Sequence, residues 1–312
     1  MKIYNCIKDF KPVKNAVVTI GTFDGVHLGH QAVFKQMIAE AEKINGHTVV
    51  VTFYPHPRIV LGLDSSNLKF IKTEKKKIEA IERAGIDNLI IVEFTKEFAR
   101  VASEVFIKDL IINSIQPKVL IIGYDHQFGN NREGSFELLT KMSAEFGFEV
   151  KQVDAQDIGD ITISSTKIRK LLEIGNISEA NKLLGHEYSI TGKVVRGQSI
   201  GHNLGFPTAN IEVGDEYKLI AAVGVYACRV FCEEKIYKGM SNIGYRPTID
   251  AGSQLNREIT IEVNIFDFEK AIYGKEITIS FVERMRDEHK FENIEALKTQ
   301  LAKDKINALR IL

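Results

Sequence analysis

Two histidines stand where a strand-like run meets a helix-like run. Residues 21–30 read GTFDGVHLGH and directly follow the apolar run AVVTI at 16–20. His27 and His30 are three residues apart, so in a first helical turn they would point to the same side. Imidazole groups there, together with backbone N–H groups and the positive end of the helix, would suit a polyphosphate whose charge shifts during reaction. The spacing therefore predicts nucleotide chemistry at phosphorus.

Glycines surround these two histidines. They allow tight turns, a close approach of the backbone to a ligand, and a helix that begins near the strand. Residues of this segment predicted to bind nucleotide are Gly21, Phe23, Asp24, Gly25, His27, Gly29 and His30. Surface histidines or half of a zinc site are the alternatives for an isolated HxxH. A zinc site would need further ligands, and the three cysteines, at positions 6, 228 and 232, are scattered without a CxxC spacing.

Short apolar runs alternate with helical patterns through the first half of the chain. This alternation predicts a parallel sheet covered by helices on both faces, a Rossmann-like α/β domain. Strands are expected near residues 16, 48, 88, 118 and 148, and helices near 30–44, 73–84, 99–113 and 133–146. Ligands of such sheets bind at the carboxyl ends of the strands, where the unusual motifs of this sequence fall.

Two of these motifs follow the second and fourth predicted strands. TFYPHPR at 52–58 contains two prolines, which stiffen the strand exit and fix the direction of His56. GYDHQFGNNR at 123–132 places glycines around Asp125 and Phe128. Taken alone, the first is a rigid loop and the second a glycine-bounded turn in which Asp125 caps the backbone.

ISSTKIR at 163–169 begins another predicted helix. Its hydroxyl residues, Ser164, Ser165 and Thr166, are candidates for the N-cap. Arg169 lies in the first turn, where a positive charge opposes the helix dipole unless an anion binds. Phosphate is the expected anion.

The sequence pattern changes near residues 185–190. Strand-like runs with glycine-rich connections follow, and one helical pattern comes at the end, which predicts an antiparallel β-barrel with a C-terminal helix. We therefore expect two domains, 1–185 and 186–312.

A glycine-rich segment in the second half ends in an extended PTAN sequence. GKVVRGQSIGHNLGFPTAN at 192–210 reads as a flexible flap that carries Gly197 and Gly201, both predicted to bind nucleotide. Thr208 and Asn210 are two residues apart and would share a face in an extended chain. Their hydroxyl and amide oxygens are suitable ligands for Mg²⁺ and a triphosphate.

Further along, EITIEVNIFDF places Glu262 and Asn264 on one face of a strand and apolar residues on the other. Alternation alone predicts only a half-exposed strand. RMRDEHKF at 284–291 contains Arg286, and its default interpretation is a solvated run of charges.

Together these motifs resemble those of the bacterial bifunctional riboflavin kinase/FAD synthetases. GVHLGH is similar to the HxGH signature of the nucleotidyltransferase superfamily, and GYDHQFG to the family's GxDFxFG motif. ISSTKIR matches ISSTxIR, while PTAN and SNIGYRPTI resemble the PTAN and NIGxRPT motifs of riboflavin kinases. The resemblance covers nearly the whole chain.

The resemblance implies two ATP-dependent reactions: phosphorylation of riboflavin to FMN, and adenylylation of FMN to FAD with release of pyrophosphate. It implies catalytic roles for His27, His30, Arg169 and Glu262, the last as the base for the riboflavin 5′-hydroxyl. Flavin contacts are implied for His56, Asp125, Phe128, Gly129 and Arg286. The sequence departs from the common pattern at His126, where relatives have Phe, and at Asn264, where many have His; Asn264 is given no role in proton transfer.

Bulk properties are compatible with such an enzyme. The 312 residues carry 41 basic and 41 acidic side chains, and no long basic run predicts a nucleic-acid partner. No signal-peptide core or apolar stretch of roughly 20 residues is present, so a cytoplasmic location is expected, without a membrane partner. Expected partners are riboflavin, FMN and ATP; the oligomeric state stays open.

Three rival functions remain at this stage. One is a single-activity enzyme in which His126 or Asn264 marks a decayed site. Another is a flavin-binding carrier or sensor without turnover, although it would need neither the histidine pair nor a base. The third is cytidylyl transfer to another phosphate acceptor.

Overall fold

A computed structural model of the chain describes residues 1–62, 68–124, 134–155, 157–158, 161–197, 201, 204–245 and 259–312. It forms two compact units, Met1–Ser165 and Thr166–Leu312. The loop predicted to contain Asp125, His126, Phe128 and Gly129 lies outside the described residues.

A parallel sheet forms the centre of the first unit. Its strands are β1 (Lys2–Tyr4), β2 (Ala16–Ile20), β3 (His47–Tyr54), β4 (Asn88–Glu93), β5 (Pro117–Gly123) and β6 (Glu149–Val153). Their order is β1-β4-β3-β2-β5-β6, and all neighbouring strands are parallel. The predicted α/β class is confirmed, although the short edge strand β1 was not anticipated.

Helices connect these strands. They are α1 (Leu28–Lys43), α2 (Pro57–Val60), α3 (Glu74–Arg83), α4 (Ser103–Val105), which continues as a π-helix over Phe106–Asn113, and α5 (Phe136–Phe146). Short 3₁₀ turns occur at Ile7–Asp9 and Phe98–Arg100, and a two-stranded ribbon pairs β7 (Asp157–Ile158) with β8 (Ile161–Thr162). Thr73 caps α3, because its hydroxyl accepts a hydrogen bond from the Lys76 N–H.

The sheet is buried on both faces. In β2, Val17 belongs to one apolar cluster and Val18 to another, and both are fully buried. Successive side chains of a strand point to opposite faces, so a strand covered on both sides is nearly continuously apolar. This is why the AVVTI run predicted a central strand correctly.

The connections change direction at β2. From β2 the chain proceeds through β3 to β4 on one side, whereas β5 and β6 lie on the other. Ligands of open α/β sheets bind outside the carboxyl end of the strands at such a switch point. The segment GTFDGVHLGH follows β2 and therefore lies at that position.

Two helices follow the ribbon, α6 (Ser165–Glu173) and α7 (Ile177–Leu184). Gly175, at φ 78°, ends α6, and the Asn176 N–H donates to the Leu171 carbonyl. Asn181 of α7 donates to the Phe281 carbonyl and accepts from the Tyr188 N–H. From Thr166 onward both helices belong to the second unit, and a domain boundary at 185/186 stays a prediction.

A closed antiparallel barrel forms the second unit. Its strands are β9 (Tyr188–Val195), β10 (Ala209–Glu212), β11 (Gly224–Cys232), β12 (Lys235–Tyr245), β13 (Ile259–Ile265) and β14 (Glu276–Arg286). Their order is β10-β13-β12-β11-β14-β9, and β9 pairs with β10 to close the barrel. The predicted barrel is confirmed.

The C-terminal helix, α8 (Ile294–Ile311), packs on this barrel through Ala308, which joins a cluster with Ala227, Met240 and Phe266. Asn293 caps it by accepting from the Ala296 N–H. Among the residues that the structure describes, no helix combines the length and apolar composition needed to cross a membrane.

Candidate active sites

The two histidines of the first unit lie side by side at the start of α1. Their ring centroids are 3.6 Å apart, with an interplanar angle of 21°. His27 is the N-cap residue and His30 lies in the first turn, which is the arrangement that the three-residue spacing predicted. The ring of Phe23 meets His30 edge-on at 5.3 Å. The pair therefore presents two imidazoles at the positive end of a long helix.

Burial determines the charge of His30. Burial is the larger of two effects that hold the pKa of His30 well below its ordinary value of 6.5. The nearby His27 is the smaller one and acts in the same direction. Within the described residues its Nδ1 is buried without a hydrogen-bond partner. His30 is therefore neutral at pH 7, and a neutral imidazole retains one N–H that can donate to a phosphate oxygen.

The loop before α1 turns sharply. Gly25 has φ 86°, and a side chain there would crowd Ile71. Phe23 and Val26 have φ values of 51° and 45°, the left-handed region that non-glycine residues rarely adopt. A Cβ at Gly29 would lie 3.1 Å from the His27 ring, so this glycine allows the imidazole to fold over the helix start.

Asp24 holds the loop in place from within. It is 5% exposed, and its carboxylate accepts from the Ile71 N–H at 2.9 Å and the Lys72 N–H at 3.3 Å. Its carbonyl oxygen accepts from the Ser165 hydroxyl at 2.9 Å. Asp24, predicted to bind nucleotide, therefore joins the histidine loop to two distant segments.

Lys72 was not identified from the sequence. Its backbone N–H donates to Asp24, and this contact brings Lys72 beside the histidine loop. Burial lowers its pKa to about 8, and Arg83 acts in the same direction, whereas Asp24 opposes the shift. A weak local signal was available, because Lys72 immediately precedes the helix cap Thr73.

The strand-exit loop after β3 is compact. His56 is the N-cap of α2, and its Nδ1 accepts from the Arg58 N–H at 3.2 Å. Its ring lies 4.4 Å from that of Phe70. The prolines therefore end the strand and direct His56 as expected, while its contact with flavin stays a prediction.

The hydroxyl segment ISSTKIR divides between the two units. Ser164 and Ser165 belong to the first, and the hydroxyl of Ser165, the first residue of α6, donates to the Asp24 carbonyl at 2.9 Å. Thr166 and Arg169 belong to the second unit, where Arg169 donates to the Thr166 hydroxyl at 3.3 Å. Phosphate contact by Arg169 stays a prediction.

A second set of polar residues lies on the barrel. Asn210 of β10 is directly opposite Glu262 of β13, and Glu262 is opposite Asn242 of β12. Directly opposed residues of antiparallel strands share a face, so the three form one row. The Thr208 hydroxyl donates to Glu262 Oε2 at 3.2 Å. The structure thus brings together Thr208, Asn210 and Glu262, three residues predicted from sequence.

Close packing positions this row. A Cβ on Gly197 would overlap the side-chain amide of Asn210, and one on Gly201 would overlap the Phe206 carbonyl. Asn264 is 6% exposed and donates to the Pro207 carbonyl at 2.7 Å. Asn264, which stands where many relatives have His, therefore holds the PTAN segment through this hydrogen bond.

Arg286 has a defined partner. It forms a fork with Asp304 of α8, with an Nη2–Oδ2 distance of 2.7 Å.

Asn242, a member of the row, and Glu288 were not singled out from sequence. The Asn242 side chain donates to Glu288 Oε1 at 3.3 Å. Asn242 lies in the SNIGYRPTI motif, which was the signal that could have identified it.

Comparison with known proteins agrees with this architecture. A family model for FAD synthetase matches residues 10–167, and one for riboflavin kinase matches 184–312. Curated proteins named bifunctional riboflavin kinase/FMN adenylyltransferase are 38% identical in Listeria monocytogenes and 35% identical in Escherichia coli K12. The matches cover 93% and 95% of this chain, and 90% and 93% of those proteins.

Solved structures include one described as a macrolide-efflux protein from Streptococcus pneumoniae. It is 31% identical, covers 98% of this chain and 97% of its own, and superposes with a TM-score of 0.88. Its similarity extends over both units. Because family models match both halves of the chain and curated relatives align along nearly all of it, the chain belongs to the bifunctional riboflavin kinase/FMN adenylyltransferase family.

Proposed function

We propose that each unit carries one of the family's two reactions, and that the residues described above perform them. The chain phosphorylates riboflavin with ATP to give FMN, and adenylylates FMN with a second ATP to give FAD and pyrophosphate. The observation that carries the assignment is that each family model coincides with one set of juxtaposed polar residues. These sets are the histidine pair in the first unit and the Glu262 row in the second.

In the kinase reaction, Glu262 takes the proton from the riboflavin 5′-hydroxyl. The freed oxygen attacks the γ-phosphorus of ATP, and ADP leaves. The position of Glu262 is fixed by strand register and by Ser241, whose hydroxyl donates to the Glu262 carbonyl at 2.9 Å. Thr208 and Asn210 flank the carboxylate and orient the nucleotide.

In the adenylylation reaction, an FMN phosphate oxygen attacks the α-phosphorus of ATP and pyrophosphate leaves. No covalent enzyme intermediate is needed, because positioning and charge stabilisation suffice. Neutral His30 donates its N–H toward the phosphates, next to His27 and the positive end of α1. Ser164 and Ser165 of the first unit supply hydroxyl donors from ISSTKIR, and the resemblance of this motif to the family implies phosphate contacts for Thr166 and Arg169.

The oxygen groups near Glu262 fit a divalent cation. Thr208 provides a hydroxyl and Asn210 an amide oxygen, both of the hard type that Mg²⁺ prefers, and Gly197 leaves room for the amide. Nucleotide phosphates would supply further oxygen ligands to such an ion. When bound, Mg²⁺ neutralises the charge of the transferring phosphoryl group.

Product analysis tests the assignment. The purified chain is incubated with riboflavin, ATP and Mg²⁺, and riboflavin, FMN and FAD are separated by chromatography. We expect FAD from the parent, no FMN from Glu262→Ala, and accumulated FMN from His30→Ala. Supplying FMN to Glu262→Ala should restore FAD formation.

Other outcomes would contradict specific parts of the assignment. A folded parent that converts neither substrate would point to a binding protein. FAD formation by Glu262→Ala from riboflavin would remove Glu262 from catalysis. Loss of both reactions in His30→Ala would show that the two reactions do not belong to separate units.

A further inference from the structure

The fork between Arg286 and Asp304 joins the last barrel strand to the C-terminal helix. Nε of Arg286 lies 3.1 Å from both carboxylate oxygens of Asp304, and Gln300 donates to the same carboxylate at 2.8 Å. Asp304 is only 2% exposed. A carboxylate at such a depth is costly unless it is paired and hydrogen-bonded, and here three polar contacts come from Arg286 alone.

The other side of the same guanidinium organises the chain after β14. Nη1 of Arg286 donates to the Asp287 carbonyl at 2.9 Å and lies 3.4 Å from Nδ1 of His289. The guanidinium carbon is 5.8 Å from the centre of the Phe291 ring. One side chain, fixed by Asp304, therefore contacts three residues of segment 287–291.

Segment 287–291 reaches the row that contains Glu262. Glu288 accepts from the Asn242 side chain at 3.3 Å, and it covers Gly244 so closely that a Cβ there would overlap the carboxylate. Asn242 is the residue directly opposite Glu262 on the neighbouring strand. The contacts thus run without a gap from α8 to the neighbour of the proposed base.

We propose that Asp304 is a positioning residue of the kinase reaction. It holds Arg286, and through Arg286 it holds segment 287–291 beside Glu262, so that the riboflavin hydroxyl meets this carboxylate. The inference rests on the proposed function of Glu262. It gives Arg286 a structural link to α8, while the flavin contact predicted from sequence stays a prediction.

Steady-state kinetics of Asp304→Asn in the full chain tests the proposal. We expect kcat/KM for riboflavin to fall on the order of tenfold, because small misplacements of a reacting group are amplified in rate. The KM for ATP should change less than about twofold, since Asn210 of β10 lies on the opposite side of Glu262 from Asn242 and segment 287–291. Adenylylation of supplied FMN, measured in the same preparation, should be unchanged.

A double-mutant cycle tests whether Asp304 acts through Arg286. Arg286→Gln and the combined Arg286→Gln/Asp304→Asn variant should lower kcat/KM for riboflavin by about the same factor as Asp304→Asn alone. Arg286→Lys keeps the positive charge but cannot form the fork with Asp304. If Asp304→Asn does not fold, kcat/KM for riboflavin in Arg286→Lys tests the same link. Additive losses in the cycle would overturn the proposal.

Ile311→Ala is the matched control, because it loosens the same helix without altering the fork. The proposal fails if this variant, at an equal loss of thermal stability, lowers kcat/KM for riboflavin as much as Asp304→Asn does. It also fails if Asp304→Asn leaves riboflavin kinetics unchanged. A parent that forms no FMN would instead contradict the proposed function.

Discussion

The histidine site and the Glu262 row position their polar groups in different ways. The histidine site lies in a loop whose shape depends on Asp24, whose buried carboxylate accepts from the Ile71 N–H and whose carbonyl accepts from the Ser165 hydroxyl, both far along the chain. The Glu262 row lies on regular strands, where register sets three side chains in line. A loop site depends on a few tertiary contacts, whereas a strand site shares the stability of the barrel.

The change with the largest expected effect should impair the kinase reaction and leave adenylylation intact. Glu262→Gln removes the base but keeps the side-chain volume, so we expect kcat of the kinase reaction to fall about 10²–10⁴-fold. Adenylylation of supplied FMN should stay at the parental rate in a separate assay. Glu269→Gln, an exposed change beyond the same strand, is the control, and an equal loss there would contradict the assignment.

The reciprocal change affects the loop site. His30→Gln removes a buried imidazole, and we expect adenylylation to fall about 10²–10³-fold, as when one donor to a developing charge is lost. The kinase reaction should be unaffected when FMN formation is measured. His47→Gln, at the exposed start of β3, should change neither rate. Parental adenylylation in His30→Gln would remove this residue from the mechanism.

Asp24→Asn tests whether the loop depends on its internal tie. The amide accepts hydrogen bonds less strongly than the carboxylate and has one acceptor oxygen, so the unfolding free energy of the first unit should fall by about 1–3 kcal/mol. Urea denaturation, followed with adenylylation and kinase assays, would show whether the loss is confined to the first unit. An exposed Asp9→Asn change should leave stability unaltered. A destabilised second unit would break the contrast between the sites.

The smallest effect concerns pH. The pKa of folded His30 lies well below 6.5, so below pH 6.5 the unfolded chain binds a proton that the folded chain does not. The free energy of unfolding should therefore fall as pH drops below this value, and the part due to His30 should be absent in His30→Gln. Urea midpoints between pH 5 and pH 8 provide the measurement. Parallel curves for parent and variant would contradict the assigned pKa direction.

Patterns within a single segment allowed much of the fold to be predicted. The largely apolar run of β2 indicated a central parallel strand, and alternation around Glu262 indicated which face it occupies. The three-residue spacing of His27 and His30 indicated their proximity. In each case local periodicity determines the outcome, because strand and helix geometry repeat over a few residues.

Contacts between distant segments could not be predicted in this way. Asp24 pairs with Ile71, 47 residues later, and Arg286 pairs with Asp304, 18 residues later. Neither pair has a spacing that a helix or strand would impose, so each charged residue was interpreted from its own motif. The correct partners depend on how loops and helices pack, which is a tertiary property.

Phe23 and Val26 keep left-handed backbone conformations in the histidine loop, at a cost of roughly 1–3 kcal/mol each. Glycine would relieve this strain, but it would also remove a buried side chain from the apolar cluster beneath the imidazoles. Truncating a large buried side chain costs about 2–5 kcal/mol, which is at least as much as the strain. The apolar packing of Phe23 and Val26 therefore holds the loop in a backbone shape that neither residue would adopt alone.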